Sequence, residues 1–182
     1  MRNVNWTEKT ASGNGGSKLP AGGYVLMVTS IKDNEAKEYL ELVYDVAEGE
    51  HKGHYSTDFG RDNGWAHMFR VSYSERAEGL FKRFLDCIEQ SNPSFSTAAW
   101  QATSNPQAFV GKVFGAAWGT EYYTNANGED KERPTFPTYY TADQIRNGEF
   151  EIPADKDNRA PQAQTVPAAA PATSMYDEDV PF

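Results

Sequence analysis

A chain of 182 residues with a formal net charge of −9 has room for one ordinary hydrophobic core and a tail; a second independent core would be hard to fit. No apolar run approaches membrane-spanning length, and the polar stretch from Met1 to Gly16 lacks the apolar segment of a secretory signal, so a soluble, cytoplasmic protein is expected. The single cysteine, Cys87, excludes an internal disulfide and falls beside Phe84 and Ile88 on the apolar side of a predicted helix, where it fills core.

The acidic balance excludes a uniformly positive surface, since residues 1–153 hold 15 basic and 21 acidic side chains. Any polyanionic partner would have to meet a local stripe of cations and rings. Aromatic residues, 13% of the chain, are plentiful enough to build one, because stacking needs π-faces more than net charge.

Residues 1–20, rich in Gly, Ser and Asn from Thr10 onward, predict a flexible N-terminal arm. The apolar, β-branched run from Tyr24 to Ile31 predicts a buried strand, and Asp33-Asn34-Glu35 a turn. The next strand, Tyr39 to Glu48, alternates: Leu40, Leu42, Tyr44 and Val46 face the core, Tyr39, Glu41, Val43 and Asp45 the solvent. A third strand is expected at His54 to Phe59.

From Ser72 to Ser91 the spacing becomes helical, with Leu80, Phe81, Phe84, Leu85 and Ile88 as the apolar stripe, Ser72 and Glu75 as a capping box, and Asn92-Pro93 as the stop. After a loop containing Trp100, the runs Lys112 to Tyr123 and Lys131 to Tyr140 form a hairpin about Asn125-Ala126-Asn127-Gly128. Thr141 caps a last helical turn, Ala142 to Asn147, and Phe150 and Ile152 pack back. The order strand, strand, strand, helix, strand, strand predicts a mainly β fold over residues 21–153, a five-stranded OB-fold barrel with a helix between strands 3 and 4.

Residues 154–174 carry repeated Pro, Ala and Gln and almost no bulky apolar side chains, the composition of a disordered, partly stiff linker. It leads to Asp177-Glu178-Asp179-Val180-Pro181-Phe182, the core of an acidic tip at residues 175–182. Phe182 can fill an apolar pocket, its α-carboxylate can meet an Arg or Lys at the rim, Pro181 lowers the entropy lost on docking, and the three acids steer the tip to a basic surface. An ordinary solubilising tail accounts for the acids but not for the closing Val-Pro-Phe.

With this tip, linker and strand order, the chain resembles the bacterial and phage single-stranded DNA-binding proteins, whose tip is usually written Asp-Asp-Asp-Ile-Pro-Phe. It looks like a divergent phage or mobile-element type. The resemblance implies single-stranded DNA as ligand, docking of replication, recombination and repair proteins on Asp177, Glu178, Asp179, Val180, Pro181 and Phe182, and a homo-oligomer of unspecified size.

Rings interleaved with cations mark the candidate DNA-binding residues. Lys52, Tyr55, Phe59, Arg61, Trp65, Arg70 and Tyr73 form the richest stretch, Trp118, Tyr122, Lys131 and Arg133 come from the hairpin, and Lys37 and Tyr39 flank the first turn. Trp118 has a competing use as core, because Phe114, Ala116 and Trp118 alternate as an inward face. The three histidines have no metal-ligand spacing with the lone cysteine, and no phosphate loop or nucleophile elbow occurs, so neither an enzyme nor a cofactor is expected. The alternatives are a protein-interaction adaptor or DNA mimic and, behind it, a metal-dependent nuclease.

Overall fold

The computed structural model describes residues 19–56 and 67–159. Residues 1–18 of the N-terminal arm, residues 160–174 of the linker and the acidic tip lie outside the described residues, as do Phe59, Arg61 and Trp65, while 154–159, expected as linker, are folded against the body.

The chain is mainly β, built on a curled five-stranded antiparallel sheet that makes a half-barrel. Strands β1 (Gly22–Asn34) and β2 (Tyr39–Val46) pair in register from Leu26 opposite Val46 to Asn34 opposite Tyr39, with a bulge between Val28 and Ser30. A 3-10 turn, Glu35–Lys37, joins them, and Glu38 closes it in left-handed geometry at φ 53°. Leu40, Leu42, Tyr44 and Val46 are buried, as their alternation predicts.

The strand expected at His54–Phe59 does not form over His54–Ser56, and residues 57–59 lie outside the described residues. His54–Ser56 is a 3-10 turn, and β3 is Met68–Ser72, paired with β2 from Tyr39 opposite Ser72 to Val43 opposite Met68. The physical reason is Asp45: its buried carboxylate accepts the amides of Val46 (2.8 Å) and Tyr55 (2.9 Å), tying the turn to β2. Ser72, expected to cap the helix, is instead the last rung of this ladder, and the helix opens after Ser74 with a 3-10 turn, Glu75–Ala77.

Helix α1 (Glu78–Ser91) buries Phe84, Leu85, Cys87 and Ile88 in the single core it shares with Leu26, Leu42, Val71, Phe114 and Tyr139. Asn92 ends it and fastens it to the sheet: its Nδ2 donates to the carbonyls of Ile88 and Val113, both at 2.7 Å, and its Oδ1 accepts the Val113 amide at 3.0 Å. The segment around Trp100, read from sequence as loop, is a short helix α2 (Thr97–Thr103); Ser96 caps it by accepting the Ala99 amide.

The expected hairpin forms, but each of its strands divides. The inner halves, β4 (Val113–Trp118) and β7 (Thr138–Tyr140), join the large sheet in the order β3-β2-β1-β4-β7. The outer halves, β5 (Thr120–Thr124) and β6 (Asp130–Pro134), form a second sheet, β6-β5-β8, with β8 (Lys156–Asn158) running parallel to β5. The folded body thus continues past Pro153. Helix α3 (Ala142–Arg146) carries the reciprocal Thr141/Gln144 capping box.

The break falls at Gly119 because another segment of chain crosses there. A Cβ built on Gly119 would stand 2.1 Å from the carbonyl oxygen of Pro153. The Gly119 amide donates to Thr135 Oγ1 (2.9 Å) and its carbonyl accepts the Thr135 amide (2.9 Å), while the Thr120 amide donates to Asp155 Oδ1 (2.8 Å), so side-chain bonds join the backbone bond at the crossing. Gly119→Ala is expected to push the 153–155 segment off the hairpin and cost about 1–3 kcal/mol. Urea denaturation measures the loss, and amide exchange should show β8 losing protection before β4; unchanged stability would contradict the close approach.

Candidate nucleic-acid interface

The three strands β5, β6 and β8 form a ribbon with no buried residue. Side chains alternate between its faces, so the register decides which charges travel together. Tyr123 lies opposite Lys131, Glu121 opposite Arg133, and Glu121 also opposite Lys156. One face therefore presents Tyr123, Lys131, Arg133 and Lys156 together with the carboxylate of Glu121 and, beside Lys131, that of Glu129. The other presents Tyr122, Asp130, Glu132 and Asp157, with Arg159 over the Tyr122 ring at 5.5 Å.

On the basic face the rings and cations are already organised. Arg133 lies 4.8 Å from the Tyr123 ring centroid, while its Nε and Nη2 each donate to Glu121 at 2.9 Å. These bonds from Arg133, then one from Asn158, hold the Glu121 carboxyl down at about 2. The guanidinium lies over the phenol ring, with Lys131 and Lys156 on the same face. Lys131 also pairs with Glu129 at 3.2 Å. Such a surface can stack a base and receive the flanking phosphates.

A second group of the expected residues meets at the first turn. Arg70 sits 5.3 Å from the Tyr39 ring centroid and 3.7 Å from Glu41. Tyr73 donates from Oη to Asp33 at 2.8 Å, and burial together with that bond pushes its phenol up to about 12. Lys37 is exposed on the turn itself. Asp33, Glu35, Glu38 and Glu41 surround these groups, so this corner is acidic and a poor seat for phosphate.

Two expected contacts are corrected. Tyr55 is 8% exposed and Trp118 is 2% exposed; both are core. They belong to a closed circuit of rings inside the curled sheet: Trp118 stacks on Tyr24 at 4.7 Å, Tyr55 on His67 at 4.7 Å and Tyr44 on Phe69 at 4.4 Å, with His51 and His54 completing the path. Burial of these inward faces outweighs any gain from exposing them. Lys52 is exposed near the circuit, apart from the ribbon strands.

No protein-family model matches the chain, and no curated protein matches it significantly. The site therefore stands on its own geometry. Among the described residues no helix is long and apolar enough to cross a membrane.

Reading from sequence singled out Lys131 and Arg133 but ranked Tyr122 above its neighbour, whereas the register puts Tyr123 on the cationic face. It missed Lys156 because three residues after a proline carry no strand pattern; pairing with β5 makes the strand.

His67 gives a pH test of the ring circuit. Burial lowers its pKa from 6.5, opposed by the charge of Asp45, and the described residues offer its Nδ1 no partner. A depressed histidine pKa means the fold prefers the neutral ring, so this contribution is complete above about pH 6.5 and is lost as pH falls through the lower folded-state value. His67→Phe keeps a ring against Tyr55 and should flatten the fall in denaturation midpoint between about pH 7 and 5. Identical profiles for both proteins would remove His67 as the cause.

Proposed function

We propose that the protein binds single-stranded DNA with little sequence preference through the Tyr123, Lys131, Arg133 and Lys156 face of the ribbon, while the tip Asp177 to Phe182 recruits replication, recombination or repair proteins. The observation that carries this reading is the partial segregation of charge: an acidic chain gathers three cations and the Arg133/Tyr123 pair on one face of an exposed ribbon, where Glu121 and Glu129 pair with two of them, and Asp130, Glu132 and Asp157 on the other. In the same reading the body is an OB-type barrel. In its favour are β1 between β2 and β4, a helix after the third strand, and a last hairpin whose outer half stands clear of the core, as does the arm that closes over the ligand in such barrels. The tip and linker resemble those of the single-stranded DNA-binding family.

A second reading, an adaptor that covers a basic surface of another protein, has the carboxylates of the first turn in its favour. Retardation of oligo-dT in a gel separates the two, because the adaptor leaves the oligonucleotide free.

Lys131→Glu combined with Lys156→Glu is expected to weaken oligo-dT binding at least about tenfold at low salt, and Tyr122→Ala, on the acidic face, less than about twofold. Three phosphate contacts give a log affinity against log salt slope of about −2. Fluorescence anisotropy measures both quantities, and full affinity in the double variant would exclude the ribbon. Deleting Phe182 should leave DNA affinity unchanged and abolish co-purification of partner proteins; undiminished recruitment by the shortened chain would remove the tip from the mechanism.

A further inference from the structure

Arg133 on the basic face already holds an anion. Its Nε and Nη2 each donate to Glu121 at 2.9 Å, the paired geometry in which a guanidinium grips a carboxylate or a phosphate alike. Asn158 donates from Nδ2 to the same carboxylate at 2.8 Å, and Lys156 lies opposite Glu121 in the β5–β8 pairing. Side chains from β6 and β8 therefore converge on one anionic group that β5 itself supplies.

The donor set is that of a phosphate site: a planar fork, an amide N–H and an ammonium group on one face, with the Tyr123 ring 4.8 Å from the guanidinium to stack a neighbouring base. It is also open. The Arg133 side chain is 57% exposed while that of Glu121 is 15% exposed, so the donors can be reached from solvent and the carboxylate is the part held inward. An exposed ion pair of this kind is individually weak, so its carboxylate can be exchanged for another oxyanion.

We infer that Glu121 is the resident occupant of a phosphate subsite: in the free protein its carboxylate fills the anion site made by Arg133, Asn158 and Lys156, and one phosphate of the bound strand takes its place. This inference rests on the single-strand reading above and adds the regulation of that site. Exchange of one bidentate oxyanion for another preserves the hydrogen bonds of the donors but expels an attached charge, so affinity is lower than an empty site would give. A carboxylate attached to the site competes at an effective concentration on the order of millimolar. A lone phosphate does not overcome that competition, whereas a chain anchored at Tyr123 and Lys131 as well does. The site therefore selects a polyphosphate backbone over small anions.

The test removes the resident charge. Glu121→Gln and Glu121→Ala are each expected to bind oligo-dT about tenfold more tightly than the unaltered protein at low salt; Glu132→Gln, the same change of charge on the opposite face, changes affinity less than about twofold. Removing a residue that merely ordered Arg133 would weaken binding instead. Glu121→Gln should also bind inorganic pyrophosphate at about 1 mM, read from the Arg133 Nε resonance, where the unaltered protein does not. A further readout needs no variant. The Glu121 carboxyl, held down to about 2 in the free protein, is ionised at about pH 4.5, and in the full chain bound to oligo-dT its carbon resonance should show it at least about half protonated, because the phosphate has taken its donors. Unchanged or lower affinity in both natively folded Glu121 variants, or a carboxyl that stays ionised in the complex, overturns the subsite and leaves the ribbon reading standing. Absence of any binding to oligo-dT by the unaltered protein and by Glu121→Gln overturns the single-strand reading; pyrophosphate binding by Glu121→Gln then still supports the subsite, and its absence removes that as well.

Discussion

The crossing at Gly119 governs the rest of the architecture. Only a residue without a side chain lets the Pro153 carbonyl approach the hairpin so closely, and there two long strands leave the curled five-stranded sheet. Below the crossing, β4 and β7 are covered by α1 and carry Phe114, Trp118 and Tyr139 into the core. Above it, among the described residues, β5 and β6 have no apolar layer to rest on. The chain that forces the break then repairs part of its cost, since Asp155 receives the Thr120 amide and β8 adds a parallel edge.

An exposed ribbon without a core must be held by other forces. Here these are the ladder bonds, the two Arg133 bonds to Glu121, the Asn158 bond to the same carboxylate, and the Arg159 pairing with Asp157. Each is screened by solvent and individually weak, so their use on both faces is better understood as ordering side chains than as stabilising the fold. The consequence is electrostatic. Alternation along two antiparallel strands sorts like charges onto one face whenever the spacing is even, and Lys131 and Arg133 are spaced by two. A molecule of net charge −9 can therefore offer a locally positive surface, and within a Debye length of about 8–10 Å that local field is what a phosphate meets.

The inner aromatic circuit has a different role. Its rings fill the open side of a half-barrel whose edges, β3 and β7, do not pair with one another. Flat side chains in stacked and edge-on contact fill such a space; Tyr24 donates from Oη to the Pro20 carbonyl, whereas Trp118 Nε1 and His67 Nδ1 find no partner among the described residues. Asp45 is the pin: by accepting the Tyr55 amide it stations Tyr55 between Tyr44, His54 and His67.

The residue pattern by itself determined the elements whose apolar spacing is regular: the alternating second strand apart from the buried Asp45, the α1 stripe apart from the exposed Leu80, the Asn-Gly hairpin and the Thr141 cap. These are decided by neighbours along the chain, where burial of one face or a local hydrogen bond outweighs alternatives. It also marked Lys131 and Arg133, because cations and rings crowd that hairpin. What only the tertiary structure decided is everything that depends on a partner distant in sequence. His54–Ser56 became a 3-10 turn because Asp45 captures the Tyr55 amide, the strand that pairs with β2 is Met68–Ser72, and Ser72 became a rung opposite Tyr39 instead of a cap. Tyr123 replaced Tyr122, and Lys156 joined the site, because register and a parallel edge strand assign faces that composition does not encode. Local spacing fixes which way a side chain points along its own strand; only the crossing of remote segments fixes which strand it lies beside.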